Sequence, residues 1–71
     1  MGQKELHPAV ADVLRFFEYE HLPEHLQEIS KPVGDLAREM AARLDGPQLT
    51  NGLNRLLEAK DCFVRAALPP R

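Results

Sequence analysis

The chain has 71 residues, a formal net charge of −2 and a single cysteine, Cys62. A domain near this size buries only about 60% of the surface of its unfolded chain. One cysteine excludes an internal disulfide and a cysteine-based zinc site, so self-association is the remaining way to complete the core. The charge argues against DNA or RNA as a partner, because such binding depends on a basic face. We therefore expect one domain over residues 1–71 that assembles as a homo-oligomer.

The sequence has no continuous apolar run of about 18 residues, so we expect no membrane-spanning segment. An unpaired thiol fits a reducing compartment better than an oxidising one. Both observations favour a cytoplasmic protein.

The first predicted helix covers about residues 8–21. Pro8 occupies a favoured first-turn position, and Pro23 disfavours helical backbone at the residue before it. The apolar residues between these prolines recur at helical spacing: Val10, Val13, Leu14 and Phe17, with Phe16 beside them.

The second predicted helix covers about residues 24–44. Its apolar residues have a spacing close to a heptad repeat, which buries one seam against another helix: Leu26, Ile29, Val33, Leu36, Met40 and Leu44. Pro32 removes a backbone hydrogen bond and clashes with the preceding turn, so we expect a kink or a restart within residues 30–34. Gly46, just after this helix, is suited to cap its C-terminus.

The third predicted helix covers about residues 48–67, and its apolar residues fall within an arc of about 120°: Leu49, Leu53, Leu56, Leu57, Phe63, Val64 and Ala67. The short connection before it predicts an antiparallel hairpin with the second helix. No segment shows the alternation typical of strands. The fold class is therefore all-α.

Lys60 falls near the middle of this apolar arc, where a cation is costly unless it is paired or reaches the surface. Two interpretations are open. Lys60 faces a pocket and meets an anionic group such as a phosphate, or its stem packs while its ammonium meets a carboxylate or a helix C-terminus.

Two other features of the third helix also have two interpretations. A strip of small residues, Ala59, Cys62 and Ala66, suits either a seam between subunits or close packing within one subunit. On the opposite face, Arg65 lies four residues after Asp61, a spacing typical of a solvated ion pair. Arg65 would contact a ligand only if an oligomer brought one to this face.

The segment around Tyr19 combines an aromatic ring with two histidines. His21 and His25 are four residues apart, which suits a metal on a continuous helix, but Pro23 interrupts that geometry. We therefore predict no metal site and no cofactor. Tyr19, Phe16 and Phe17 are able to stack on a base or sugar, or the two phenylalanines belong to the core. We found no catalytic constellation of residues, so the sequence favours a binding protein over an enzyme.

The run Leu57-Glu58-Ala59-Lys60-Asp61-Cys62-Phe63-Val64-Arg65-Ala66, together with Tyr19-Glu20-His21-Leu22, resembles the small bacteriophage helical-hairpin proteins that antagonise CBASS and Thoeris immunity. The resemblance implies a homohexamer in the host cytosol that sequesters cyclic nucleotide signals without cleaving them, in pockets between protomers. It implies that Tyr19 stacks on a base and that Lys31 and Arg65 meet phosphates. His21, within the matched motif, and Lys60, from its place on the apolar arc, complete the predicted ligand-binding set.

Two other classes of function fit the same chain. One is a small helical inhibitor or adaptor that covers a groove on a host protein, which would present an exposed apolar stripe. The other is a structural helical bundle without a ligand.

Overall fold

The computed structural model describes residues 5–69, and every regular element in this range is helical. Helix α1 is Pro8–Leu14 and continues into one 3₁₀ turn, Arg15–Phe17. Helix α2 is Glu24–Arg43 and helix α3 is Pro47–Ala67. The three helices pack against one another, which confirms the all-α prediction. The predicted domain, residues 1–71, extends at both ends beyond the described residues.

The first helix is shorter than predicted. It was expected to reach about residue 21, but its regular hydrogen bonding ends in the 3₁₀ turn, and Glu18 is extended with φ −63° and ψ 140°. The chain then turns, with the Leu22 N–H donating to the Tyr19 carbonyl at 3.0 Å. Helix α2 holds this turn, because the Gln27 side-chain amide donates to the carbonyls of Glu20, at 3.3 Å, and Leu22, at 2.8 Å. A tertiary contact therefore overrides the local helical pattern.

Helix α2 runs without a break through Pro32, so of the two predicted alternatives, a kink or a restart, the restart is wrong. Proline has no N–H to donate to the carbonyl four residues earlier, which belongs to Glu28. Both Glu28 and Pro32 are exposed, so water can satisfy that carbonyl. The helix ends at Arg43, one residue before the predicted limit.

The connection between α2 and α3 uses Gly46 differently from our prediction. Leu44, not a glycine, follows α2 directly and has an extended backbone. Gly46 lies immediately before α3 with φ +94°, a conformation that favours glycine. Pro47 then begins α3, which ends at Ala67, close to the predicted limits.

The face of α2 that is buried within the protomer consists mainly of small residues, which the heptad pattern did not indicate. It is formed by Leu26, Ser30, Gly34, Ala37 and Ala41. Small side chains allow the N-terminal segment and α3 to approach the α2 backbone. The approach is closest at Gly34, where an added Cβ would lie 2.9 Å from the Phe17 carbonyl oxygen.

The large apolar residues predicted to form the α2 seam lie on a different side of the helix and remain partly or largely exposed. We call Ile29, Val33, Leu36, Met40 and Leu44 the apolar seam. Leu36 and Leu44 are 45% and 49% exposed. Beside them, an open groove of about 300 Å³ is lined by side chains of the seam and of α3, including Leu53 and Leu56. Only Leu26 of the predicted heptad positions is fully part of the protomer's interior.

The predicted apolar arc of α3 is only partly buried. Leu49 and Leu53 are buried and join the core with Val10, Val13 and Phe17. Phe63 was predicted to lie on this arc but is 52% exposed, because it falls at the edge of the arc rather than at its centre.

Candidate functional site

Tyr19 and Lys31, two of the predicted ligand-binding residues, lie together although 12 positions separate them. The Lys31 ammonium is 5.8 Å from the centroid of the Tyr19 ring, a cation–π distance. The same ammonium contacts the Asp35 carboxylate at 2.8 Å, one turn further along α2. Tyr19 is half-buried, whereas Lys31 and Asp35 are exposed. An exposed cation therefore lies over a half-buried aromatic ring.

Contacts at three levels of α2 produce this arrangement. Gln27 binds the carbonyls of the turn, Lys31 lies over Tyr19, and Gly34 packs against the Phe17 carbonyl. At 100° per residue, positions 27, 31, 34 and 38 fall within about 60° of one another, so they share one face. The segment from Phe17 to Leu22 therefore lies along this face in the direction opposite to α2.

The hydrogen bond from Lys31 to Asp35 raises the pKa of the lysine above its usual value of 10.5, and the charges of Asp35 and Tyr19 raise it further. Because the raised pKa belongs to the folded state, the associated stabilisation is complete below about pH 10.5 and is lost as pH rises through the raised value. Lys31 is thus a full positive charge at neutral pH.

Arg38 belongs to the same face and was missed by the sequence analysis. One of its guanidinium nitrogens, Nη1, lies 3.2 Å from the position that a Cβ on Gly34 would occupy, so the side chain folds back along α2. Within residues 5–69, Arg38 forms no ion pair. Its spacing of seven from Lys31 was the available signal, because residues seven apart share a helix face. We call Tyr19, Lys31, Asp35 and Arg38 the Tyr19 cluster.

Lys60 is buried, as its place on the apolar arc indicated, with 9% of its surface exposed. Its ammonium donates to the Phe16 carbonyl at 2.7 Å and lies 3.8 Å from the Asp61 carboxylate. It also lies 6.0 Å from the centroid of the Phe17 ring. Of the two interpretations, this geometry matches a packed stem whose ammonium meets the end of a helical segment. The contact joins α3 to the 3₁₀ turn, three residues before Tyr19.

The remaining two predicted ligand residues are exposed. His21 lies in the turn that carries Tyr19, whereas Arg65 lies in the last turn of α3. The expected ion pair between Asp61 and Arg65 is not formed in the described part of the chain, since the Asp61 carboxylate is instead close to Lys60. The structure therefore brings Tyr19 and Lys31 together and gives Arg65 no contact with them.

The strip of small residues on α3 is mostly accessible. Ala59 is half-buried, and Cys62 and Ala66 are exposed, so close packing inside the protomer does not account for it. Over residues 5–69, no three histidine, cysteine, aspartate or glutamate side chains are grouped to hold a metal ion. In the same range, no helix is long and apolar enough to cross a membrane.

Comparisons of the chain with protein-family models, with curated proteins and with solved structures found no match.

Proposed function

We propose that this protein is a phage anti-defence protein that binds cyclic nucleotide immune signals in the host bacterial cytosol and sequesters them without cleavage. Cyclic di- or trinucleotides and cyclic ADP-ribose-type molecules are the ligand classes. The observation that carries the proposal is the Lys31 ammonium 5.8 Å from the Tyr19 ring centroid. In a nucleotide whose base stacks on Tyr19, the phosphate would lie within reach of the charged Lys31.

The exposed apolar seam supports the oligomeric part of the proposal. It has heptad-like spacing, Val33 and Met40 are only partly buried against the core, and Leu36 and Leu44 are about half exposed. Its natural occupant is the seam of a second copy. Within the proposal, α2 and α3 form an antiparallel hairpin, and six copies form the oligomer.

Symmetry makes this economical for so short a chain. A two-fold contact duplicates every residue, so one Tyr19 and one Lys31 per protomer become two rings and two cations. A cyclic dinucleotide presents two bases and two phosphates. Several equivalent sites per oligomer would allow stoichiometric sequestration, and no catalytic step is part of the proposal.

Calorimetric titration against cyclic di- and trinucleotides and ADP-ribose isomers tests the proposal. Tyr19→Leu is expected to weaken binding by about 5- to 150-fold, because stacking on an aromatic side chain contributes about 1–3 kcal/mol per base. Tyr19→Phe keeps the ring and is the matched control. Tyr19 is the only tyrosine and the chain has no tryptophan, so intrinsic fluorescence reports directly on this ring.

Sequestration requires in addition that mass spectrometry recover the bound nucleotide intact after the protein is denatured. The absence of binding to every member of the panel would reject the proposal, and a cleaved product would reject sequestration.

A helical inhibitor or adaptor of a host protein is the second candidate, and the same exposed seam favours it. Light scattering separates the two. A stable hexamer covers the seam with further copies, whereas a monomer leaves it available to a different protein.

A further inference from the structure

We propose that Arg38 is a second anion-binding residue of the Tyr19 cluster, and that Asp35 is an internal counter-ion that an incoming phosphate displaces from Lys31. The ligand class is a molecule with two phosphates or a diphosphate. The inference rests on the proposed function for its biological ligand, but the anion site can be tested without any nucleotide.

The first step concerns the charged side chains on the face of α2 that carries Lys31 and Arg38. Lys31 is neutralised by Asp35 at 2.8 Å, so it is not free to attract an anion at long range. Arg38 has no ion pair within the described residues. Of the cations that α2 carries, Arg43 is also neutralised, by Glu39 at 2.6 Å. Of the lysine and arginine residues of α2, Arg38 is therefore the one without an ion pair within the described residues.

The second step is the geometry. Lys31 and Arg38 differ by about 20° around α2 and by about 10 Å along it. The Arg38 guanidinium lies beside Gly34, so it folds back toward Lys31 rather than away from it. Gly34 has no side chain to stand between the two cations. A guanidinium offers paired N–H donors that match phosphate oxygens, whereas the ammonium acts as a point charge.

The third step is the role of Asp35. Both side chains of the Lys31–Asp35 pair are exposed, and exposed ion pairs contribute little to stability because water screens them. A phosphate that Arg38 also contacts can replace that carboxylate at little cost. Asp35 then limits binding of weak anions while it keeps Lys31 oriented over the Tyr19 ring.

The probe is inorganic pyrophosphate at constant ionic strength, followed by two-dimensional NMR of the folded protein and by Tyr19 fluorescence. We expect saturable shifts at Tyr19 and at the Arg38 side chain. Arg38→Gln should weaken binding about tenfold or more, since a charge-assisted hydrogen bond is lost. Asp35→Asn should strengthen it by about two- to fivefold, as the competing carboxylate is removed.

Arg43→Gln is the matched control, because it makes the same charge change on the same helix about 140° away from Arg38. It should alter affinity by less than about twofold. Arg38→Lys, which keeps the charge but not the paired donors, should lie between the wild type and Arg38→Gln. Arg38 is exposed, so these variants are expected to retain the helical circular dichroism spectrum of the wild type.

Equal pyrophosphate affinity of the wild type and Arg38→Gln would overturn the inference, as would weaker binding by Asp35→Asn or no saturable shift on this face. If a cyclic nucleotide bound the wild type and Arg38→Gln equally, the proposed function would stand and this inference would fail. If pyrophosphate bound through Arg38 and no cyclic nucleotide bound, the anion site would stand and the proposed function would fail.

Discussion

At the residue scale, Lys60 shows how one polar contact organises an otherwise apolar interface. Its stem lies among the buried side chains of α3, and its ammonium reaches the Phe16 carbonyl at the end of the N-terminal helical segment. Carbonyls at a helix C-terminus lack intrahelical donors and carry partial negative charge, so a buried ammonium is a suitable partner. The contact also anchors the chain just before Tyr19. Lys60 therefore fixes the backbone next to the candidate site, although its own side chain is buried.

Replacing Lys60 with alanine should lower the free energy of unfolding by about 1–3 kcal/mol, because a charged hydrogen bond and a buried stem are lost together. Urea denaturation at a fixed protomer concentration measures this. Lys31→Ala is the control, since Lys31 is exposed and its removal should change stability by less than about 0.5 kcal/mol. A Lys60 variant as stable as that control would show that the contact to Phe16 contributes nothing.

The sequence identified Lys60 as buried because its angular position depends only on helix periodicity. Its partner was not predictable in the same way, since Phe16 is 44 residues earlier and the contact depends on tertiary packing. The pairing of Tyr19 with Lys31 has the same character. It depends on the turn that Gln27 holds, and the sequence pattern extended the first helix through that turn.

At the element scale, α2 is the central element because two of its sides differ in composition. One side carries the small residues that pack against the N-terminal segment and α3, and the other carries the apolar seam. Hydrophobic periodicity found the seam because it counts large apolar residues. It missed the small-residue face, since Ser30 and Gly34 have little hydrophobicity and their burial follows from close backbone approach. The helix was therefore correct in type, and its predicted seam is only partly in the core, because Leu26 is buried and Val33 and Met40 are partly buried against the core.

Gly34→Ala tests the close approach. Alanine favours a helix by about 1 kcal/mol over glycine, but its Cβ would meet the Phe17 carbonyl oxygen at 2.9 Å. Because that atom belongs to the backbone, we expect a strain of up to about 3 kcal/mol to outweigh this gain, with a net loss of up to about 2 kcal/mol and altered Tyr19 fluorescence.

Gly52→Ala is the matched control for this substitution. It makes the same change within α3, where nothing lies within 4 Å of the added Cβ, so a gain of up to about 1 kcal/mol is expected. Thermal unfolding combined with light scattering distinguishes protomer stability from association. Stabilisation by both alanines would contradict the close packing of α2 on the N-terminal segment.

At the scale of the whole molecule, the protomer leaves several large apolar side chains uncovered. Leu36 and Leu44 of the seam are about half exposed and line the groove between the seam and α3. Exposed apolar surface of this kind typically marks an interaction site in a folded protein. The small size of the chain points in the same direction, because a core built from so few residues gains stability from further burial between copies.

The double variant Leu36→Gln, Leu44→Gln should dissociate the proposed oligomer and leave the protomer helical. Both side chains are half exposed in the protomer, so their polar replacements remain solvated when the copies separate. Multi-angle light scattering gives the mass, and circular dichroism reports the helix content. Leu68→Gln is the control, since Leu68 is 46% exposed but lies after α3 and does not line the groove beside the seam. An unchanged mass for the double variant would place the interface elsewhere.

The two sides of α2 also differ in the substitutions that they tolerate. The buried side of α2 contains Ser30, Gly34, Ala37 and Ala41 and accepts only small side chains. Exchange among the smallest residues is permitted there, and larger residues are excluded. On the side of the seam, the limit is a lower bound on apolarity, and side chains of many shapes satisfy it. A library of α2 variants selected for folding would therefore conserve size on one face and hydrophobicity on the other, with position 34 the least variable of all.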